Sequence, residues 1–335
     1  DIYPTHRSAV YPQSVIDGTK KSAVTAKLEN DGKKLVGARE GFPFPVPKSG
    51  VEAMWNCIVR WSGTSEYGRY KSFVINAAGR RVMASDGKFW EEYPYWDPKS
   101  NDRENTMKIM DNVIAPANRN GEGLICLYKY DMSNGNPAWQ YLPGQRRVKL
   151  APEVAFDGPN TSVAGAATYD DSYVFSGSPE RYDWKILGKK EMYVPYNSYK
   201  FVYNSTADKA FGEHFVNPEF MRFELHRVWA IEGTLKSGLR HIYSKRVIYL
   251  DEDTWNAVVH DTYDNKGKIY RVIYDAHVFN YDAPAPFNLT YIGYDIASGV
   301  YYCNAYVGET GGMQYIPTRP EKEWAPAALA GAGVR

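Results

Sequence analysis

Met221-Arg222-Phe223-Glu224-Leu225-His226-Arg227-Val228-Trp229-Ala230-Ile231-Glu232-Gly233-Thr234-Leu235 decides the fold class. Its odd positions hold Met221, Phe223, Leu225, Trp229, Ile231 and Leu235, and its even positions include Arg222, Glu224, His226 and Glu232, with Arg227 as the exception. A period of two predicts a strand with one buried and one wet face. Further strands follow at about 241–250, at about 255–263 with Trp255, Ala257, Val259 and Tyr263 on one side, and at about 268–279. The connections are Lys236-Ser237-Gly238, Asp251-Glu252-Asp253 and Asp264-Asn265-Lys266-Gly267. Turns this short impose antiparallel neighbours, because a parallel pair needs a long crossover. The segment is therefore a meander with one apolar face.

Upstream, Tyr70 to Ile75 and Arg80 to Ala84 read as a hairpin around Asn76-Ala77-Ala78-Gly79, and 104–114 pairs with 123–131 across Asn118-Arg119-Asn120-Gly121. Helical signal is sparse. Ser49 is an N-cap, and Val51, Met54, Trp55, Ile58 and Val59 follow the i, i+3, i+4, i+7 rule, predicting an amphipathic helix at about 50–62. Short helices are expected at 168–176 and near 326–332. Residues 1–48 read as an extended proline-rich arm, because the alternate prolines of Gly41-Phe42-Pro43-Phe44-Pro45-Val46-Pro47 cannot support a helix. No repeat of 20–50 residues is visible, which argues against a propeller or solenoid.

The 335 residues give ample length for a large core, and 40 Lys+Arg against 39 Asp+Glu give a net charge of +1. This balance offers nothing to nucleic acid or to an anionic membrane surface. The 28 Tyr and 9 Trp suit pleated, half-buried surfaces and sites with one apolar and one wet end. No apolar run reaches the roughly 18 residues that span a bilayer as a helix. Cys57, Cys126 and Cys303 are widely separated and form no CxxC, which favours buried thiols over a metal site; one disulfide plus a free thiol is the alternative.

Two stretches carry a resemblance. One is Trp139-Gln140-Tyr141-Leu142-Pro143-Gly144-Gln145-Arg146-Arg147-Val148, followed by Thr168-Tyr169-Asp170-Asp171. The other is Tyr243-Ser244-Lys245-Arg246-Val247-Ile248-Tyr249-Leu250-Asp251, followed by Asp264-Asn265-Lys266-Gly267-Lys268-Ile269. Together they resemble the LolA-like outer-membrane lipoprotein-sorting proteins. The whole chain is similar to a longer proteobacterial family of unknown function related to that group. The stretches concerned are Phe42-Pro43 through Trp55, Gly177 to Trp184, and Glu224-Leu225-His226-Arg227-Val228-Trp229.

The resemblance implies a mainly β (α+β) fold, in which a strongly curved antiparallel sheet, an unclosed barrel, wraps around one or more helices. It also implies a periplasmic setting, with an export signal outside this sequence, and envelope transport or outer-membrane proteins as partners. The expected organisation is an arm at 1–48, a half-barrel at 49–285 and a C-terminal extension at 286–335 packed on the same domain.

A half-barrel has a larger apolar concave face than one helix covers, so the expected trough is partly vacant. An acyl chain laid there gains roughly 0.8 kcal/mol per buried CH₂, about 10 kcal/mol gross for one tail. Candidate cavity residues are Trp139, Tyr141, Leu142, Phe223, Trp229, Ile231 and Trp55; an ordinary core filled by the helix uses the same residues. Arg146 and Arg147 are candidates for a lipid headgroup phosphate, or else solvated strand-end charges.

Nothing reads as a catalytic constellation. The histidines follow no zinc-ligand spacing, Ser176-Gly177-Ser178 is not a nucleophile elbow, and Gly308-Glu309-Thr310-Gly311-Gly312 lacks a following helix. Neither a cofactor nor a metal is expected. The function expected is that of a periplasmic, non-enzymatic carrier of lipids, lipoproteins or other hydrophobic molecules. The alternatives are a protein-interaction or sensor module on the same scaffold, and a hydrolase whose acids and histidines gather in one cleft.

Overall fold

A computed structural model describes residues 1–332. The chain opens with β1 (Ile2–Tyr3), α1 (Gln13–Thr25), the small hairpin β2 (Lys27–Glu29) and β3 (Lys34–Val36), and α2 (Gly50–Ile58). Six strands follow: β4 (Ser65–Ile75), β5 (Arg81–Glu92), β6 (Asn105–Ala115), β7 (Gly123–Lys129), β8 (Ala138–Leu142) and β9 (Arg147–Leu150). After 3₁₀ turns at 152–181 come β10 (Tyr182–Pro195), α3 (Tyr199–Tyr203) and α4 (Ala207–Ala210). The meander is β11 (Phe223–Leu235), β12 (Lys245–Asp251), β13 (Ala257–Tyr263) and β14 (Ile269–Asp275). The chain ends with β15 (Val278–Asn280), β16 (Ala285–Phe287), β17 (Tyr291–Asp295), β18 (Tyr301–Tyr306), β19 (Met313–Tyr315) and α5 (Ala328–Ala332).

One 15-stranded sheet contains most of these strands. Its order is β1-β11-β12-β13-β14-β17-β18-β4-β5-β6-β7-β8-β9, with β10 also on β11 and β19 on β4. Every pairing is antiparallel except the two-residue contact of β1 with β11. β9 pairs only with β8 and β10 only with β11, so the outer strands do not meet and the barrel is unclosed, as expected. Both edges carry exposed cations, Arg147 and Lys149 on β9 and Lys185, Lys189 and Lys190 on β10, which discourage strand addition.

Ser49 caps α2 by accepting from the Glu52 amide at 3.3 Å. A Cβ on Gly50 would lie 2.4 Å from the Trp184 backbone, so the helix sits directly on β10. Trp55 is fully buried and its Nε1 donates to the Gly32 carbonyl at 2.7 Å. Asn56 pins the proline run by accepting from the Phe44 amide at 3.0 Å and donating to the Phe44 carbonyl at 2.6 Å. The helix stops at Ile58, shorter than its apolar spacing predicts, because the Arg60 amide turns back to the Cys57 carbonyl.

Three further expectations change. The arm contains α1, whose buried face is Val15, Gly18 and Ser22. Small residues of this kind leave no apolar stripe in the sequence, yet a Gly18 Cβ would stand 1.9 Å from the Glu40 carbonyl oxygen. The expected helix at 168–176 is a single 3₁₀ turn, Tyr169–Asp171. The stretch after 285 does more than pack on the sheet, since β17 and β18 join β14 to β4 in its middle.

The even face of β11 is also buried. Val228 and Ala230 pack with Val194, Tyr196, Val247 and Tyr249, and Glu224 and His226 lie beneath the N-terminal arm. The trough is filled by α2, by α3 and α4 with Phe201 and Phe211, and by the segment 152–176, which covers the sheet.

Candidate functional site

The cover segment is held by side chains. Thr168 Oγ1 donates to Asp170 Oδ1 at 2.6 Å, and Asp170 Oδ2 meets Arg246 Nη2 and His241 Nε2, each at 3.0 Å. The Tyr243 hydroxyl donates to Asp171 Oδ2 at 2.7 Å and accepts from Arg271 Nη1 at 2.9 Å. All these groups are buried. Burial pushes the Asp170 carboxyl up, but Arg246 and His241 outweigh it and hold the group well below the ordinary range. Burial and the neighbouring Asp170 charge push Asp171 up. Farther along, Ser85 Oγ and Arg119 Nη1 donate to the carbonyls of Ser162 and Thr161, each at 2.8 Å.

Between this cover and the inner face of β4–β7 lies a cavity of about 70 Å³. Its walls are Phe89, Ile109, Leu124, Cys126, Val154 and Leu289, with Tyr70, Tyr128, Tyr169 and Tyr173 among them. Its polar groups include Glu91 and Asp111. Asp111 accepts from the Tyr70 hydroxyl at 2.7 Å, and burial pushes it up to about 6 against that bond.

Glu91 faces Glu66 as its cross-strand partner, and both are buried. The Tyr93 hydroxyl bridges them at 2.8 Å from Glu66 Oε1 and 2.6 Å from Glu91 Oε2, and the Tyr173 hydroxyl also bonds Glu91. Burial and then the adjacent Glu91 push Glu66 well above the carboxylate range, as expected for two acids that cannot both ionise out of water. The Arg60 guanidinium lies 4.4 Å from the Tyr173 ring centroid and is itself buried. The cavity thus mixes apolar side chains with tyrosines, small polar groups and the buried carboxyls of Glu91 and Asp111.

A roomier recess of about 770 Å³ is polar and lies on the outside, between Glu92, Asp97, Lys108 and Arg319. On the other face of β11, His226, Asp251 and Asp253 bring potential metal-ligating atoms within 4.8 Å of one another.

The sequence matches the family model described as "Protein of unknown function (DUF1329)" over residues 1–330. It belongs to the DUF1329 family. A curated relative, the uncharacterized protein PA3922 of Pseudomonas aeruginosa, is 38% identical over 344 residues, covering 100% of this chain and 74% of its own length. Two solved structures share the fold. One is a putative outer membrane lipoprotein-sorting protein domain from Vibrio parahaemolyticus, with TM-score 0.58, 15% identity, and 84% and 98% of the two chains covered. The other is a DUF1329 family protein from Desulfovibrio piger, with TM-score 0.57, 14% identity, and 83% and 95% covered.

In this DUF1329 chain the residues singled out from the sequence are not gathered in one cavity. Trp55 and Ile231 are fully buried in the main core, and Phe223 and Trp229 pack at its half-buried margin. Trp229 stacks on Trp255 with centroids 5.8 Å apart. Trp139 and Tyr141 belong to a separate cluster with Met110 and Ile125, closed by Trp324 and Leu329. That cluster lies on the sheet face opposite the cavity, because Ile125 pairs with Trp139 while Leu124 and Cys126 line the cavity. Leu142 is half-buried at the turn into β9, where Arg146 and Arg147 are exposed and form no ion pair among the described residues. Leu124, Ile109 and Asp111 escaped sequence reading, since their alternation on β6 and β7 resembles that of any half-buried strand.

Proposed function

We propose that this protein is a periplasmic carrier or binding protein for a hydrophobic molecule with a polar head, and not an enzyme. The observation that carries the reading is the partly apolar cavity with buried carboxyls under a cover fastened by side chains. The cover contributes no strand to the 15-stranded sheet, so releasing it breaks no strand pairing. The shared fold with a lipoprotein-sorting domain supports the same reading.

As folded, the cavity is far below the roughly 300–1,000 Å³ of typical small-molecule sites. A lipid tail therefore enters only when residues 152–176 swing away, and it would have to replace the apolar surface of Val163, Val174 and Phe175 that this opening uncovers. The charged sheet edges argue against a partner that docks by strand addition. The reading requires neither cofactor nor nucleic acid, and it takes a lipid or acyl chain as ligand, with envelope transport or outer-membrane proteins as donor and acceptor.

Delipidated protein mixed with a fluorescent fatty acid tests this. One bound ligand per chain is expected, together with a ligand-bearing mass by native mass spectrometry. Leu124→Trp, which fills the cavity, is expected to abolish uptake while leaving the far-UV spectrum unchanged. A bare mass and no uptake by the wild-type chain would reject the carrier reading.

A further inference from the structure

The outer face of β11 presents a histidine whose surroundings are built on one side and incomplete on the other. His226 Nε2 lies 3.1 Å from Glu224 Oε2. Glu224 is fully buried and saturated with donors: Arg222 Nε at 2.7 Å, Asn197 Nδ2 at 2.8 Å and the His6 amide at 2.9 Å. With Nε2 engaged by this carboxylate, Nδ1 is the ring nitrogen left to point the other way.

Nδ1 lies 3.8 Å from Asp251 Oδ1, too far for a hydrogen bond. Asp251 is fully buried. Its Oδ2 takes the Thr254 hydroxyl at 2.7 Å, the Thr254 amide at 3.0 Å and the Tyr196 hydroxyl at 3.3 Å. Its Oδ1 has no hydrogen-bond partner. Asp253 adds a third donor atom, all three lying within 4.8 Å of one another. The Tyr196 ring stacks on the imidazole at 3.8 Å and fixes its plane. A buried carboxylate oxygen without a hydrogen-bond partner, 3.8 Å from an imidazole nitrogen, leaves a gap that a cation would fill.

We propose that His226 Nδ1, Asp251 Oδ1 and an Asp253 oxygen bind one divalent transition-metal ion, with Glu224 as the positioning residue behind the imidazole. Bond lengths of roughly 2.0–2.2 Å place cis donors about 3–3.5 Å apart, so the three groups have to draw together around the ion. One imidazole and two carboxylates with an open position suit zinc better than the all-oxygen shells of magnesium or calcium. The imidazole–carboxylate pairing behind it is the usual second layer of such sites.

The N-terminal arm is fastened beside the site. Tyr11 donates to the Asp253 carbonyl at 2.7 Å, and the exposed Arg7 approaches Asp253 Oδ1 at 3.5 Å. An ion that fixes Asp253 would also steady the backbone carbonyl to which Tyr11 bonds.

Titration of chelator-stripped protein with Zn²⁺ alone tests the proposal. One equivalent is expected to bind, and tryptic cleavage after Arg7 is expected to slow in its presence. Asp253→Asn, at a partly exposed position, is expected to weaken binding at least tenfold with an unchanged far-UV spectrum. Glu224→Gln should weaken it by about 10- to 100-fold. Absence of stoichiometric binding to the wild-type chain, or equal affinity in Asp253→Asn, would overturn the proposal. So would an NMR signal showing His226 protonated at both nitrogens in the presence of zinc, since a proton would then fill the gap.

Discussion

Arg246 on β12 and Asp170 in the cover meet at 3.0 Å with both side chains out of solvent. They come from the two stretches of sequence that carried the family resemblance, 76 residues apart in the chain. The bond ties the cover to the meander, so the motifs mark a structural latch more directly than a ligand contact. Arg246→Leu leaves the Asp170 carboxylate buried without its arginine, with only the His241 ring and the Thr168 hydroxyl as side-chain partners. Breaking a buried pair on one side costs about 3–5 kcal/mol. Urea unfolding is expected to show that loss, with cleavage inside 152–176 appearing under mild protease treatment.

The thiols give a simpler prediction. Cys57, Cys126 and Cys303 are all buried and free, so the disulfide alternative is not realised. Burial pushes Cys57 up to about 11 and Cys126 up to about 12, and Cys303 rises well above its ordinary value for the same reason. A thiolate is the reactive species, so the native protein is expected to react with none of its thiols at neutral pH. Three should be counted by a thiol reagent after denaturation. Rapid labelling of the folded chain would contradict this.

The contact of α1 with the arm is backbone on backbone. A Gly18 Cβ would sit 1.9 Å from the Glu40 carbonyl oxygen, and a Gly41 Cβ 2.0 Å from the Gly18 carbonyl carbon. Gly18→Ala is favourable for an isolated helix, yet here it forces the two segments apart. A loss of about 1–3 kcal/mol is expected, in the range of overpacked cores, together with faster proteolysis near residue 25. An unchanged or raised melting temperature would show that the helix does not dock as described.

Most of the fold was legible because the meander repeats a strong signal. Odd positions from Met221 to Leu235, with turns at Gly238 and Gly267 in left-handed backbone, admit only antiparallel neighbours. What escaped was packing by small or polar residues. Gly18 and Ser22 hide a helix, and Glu224 and His226 look solvated until the arm is seen to cover them. Site residues were least legible. Asp251 stands opposite Val228 through β-register, so its meeting with His226 follows from the ladder and not from any spacing along the chain. Likewise Trp139 and Leu124 read alike in sequence, but the face each occupies depends on how β6, β7 and β8 align.

Asp111 offers a test of the cavity that requires no ligand. Its carboxyl is pushed from 3.8 to about 6 by burial, against the Tyr70 hydrogen bond. The folded chain therefore holds this proton more tightly than the unfolded chain. A raised carboxyl favours the folded state fully below about pH 4. That contribution declines between about pH 4 and 6 and is absent above, where the folded state carries a buried charge. The difference corresponds to about 3 kcal/mol. Asp111→Asn keeps an acceptor for Tyr70 but cannot ionise. Relative to the wild-type chain, its unfolding free energy is expected to rise by a few kcal/mol between pH 4 and pH 7, with the change centred near pH 5. Chemical denaturation across that range measures it. Parallel pH profiles for the two proteins would mean that water reaches Asp111 freely, and that the cavity is open to solvent before any ligand arrives.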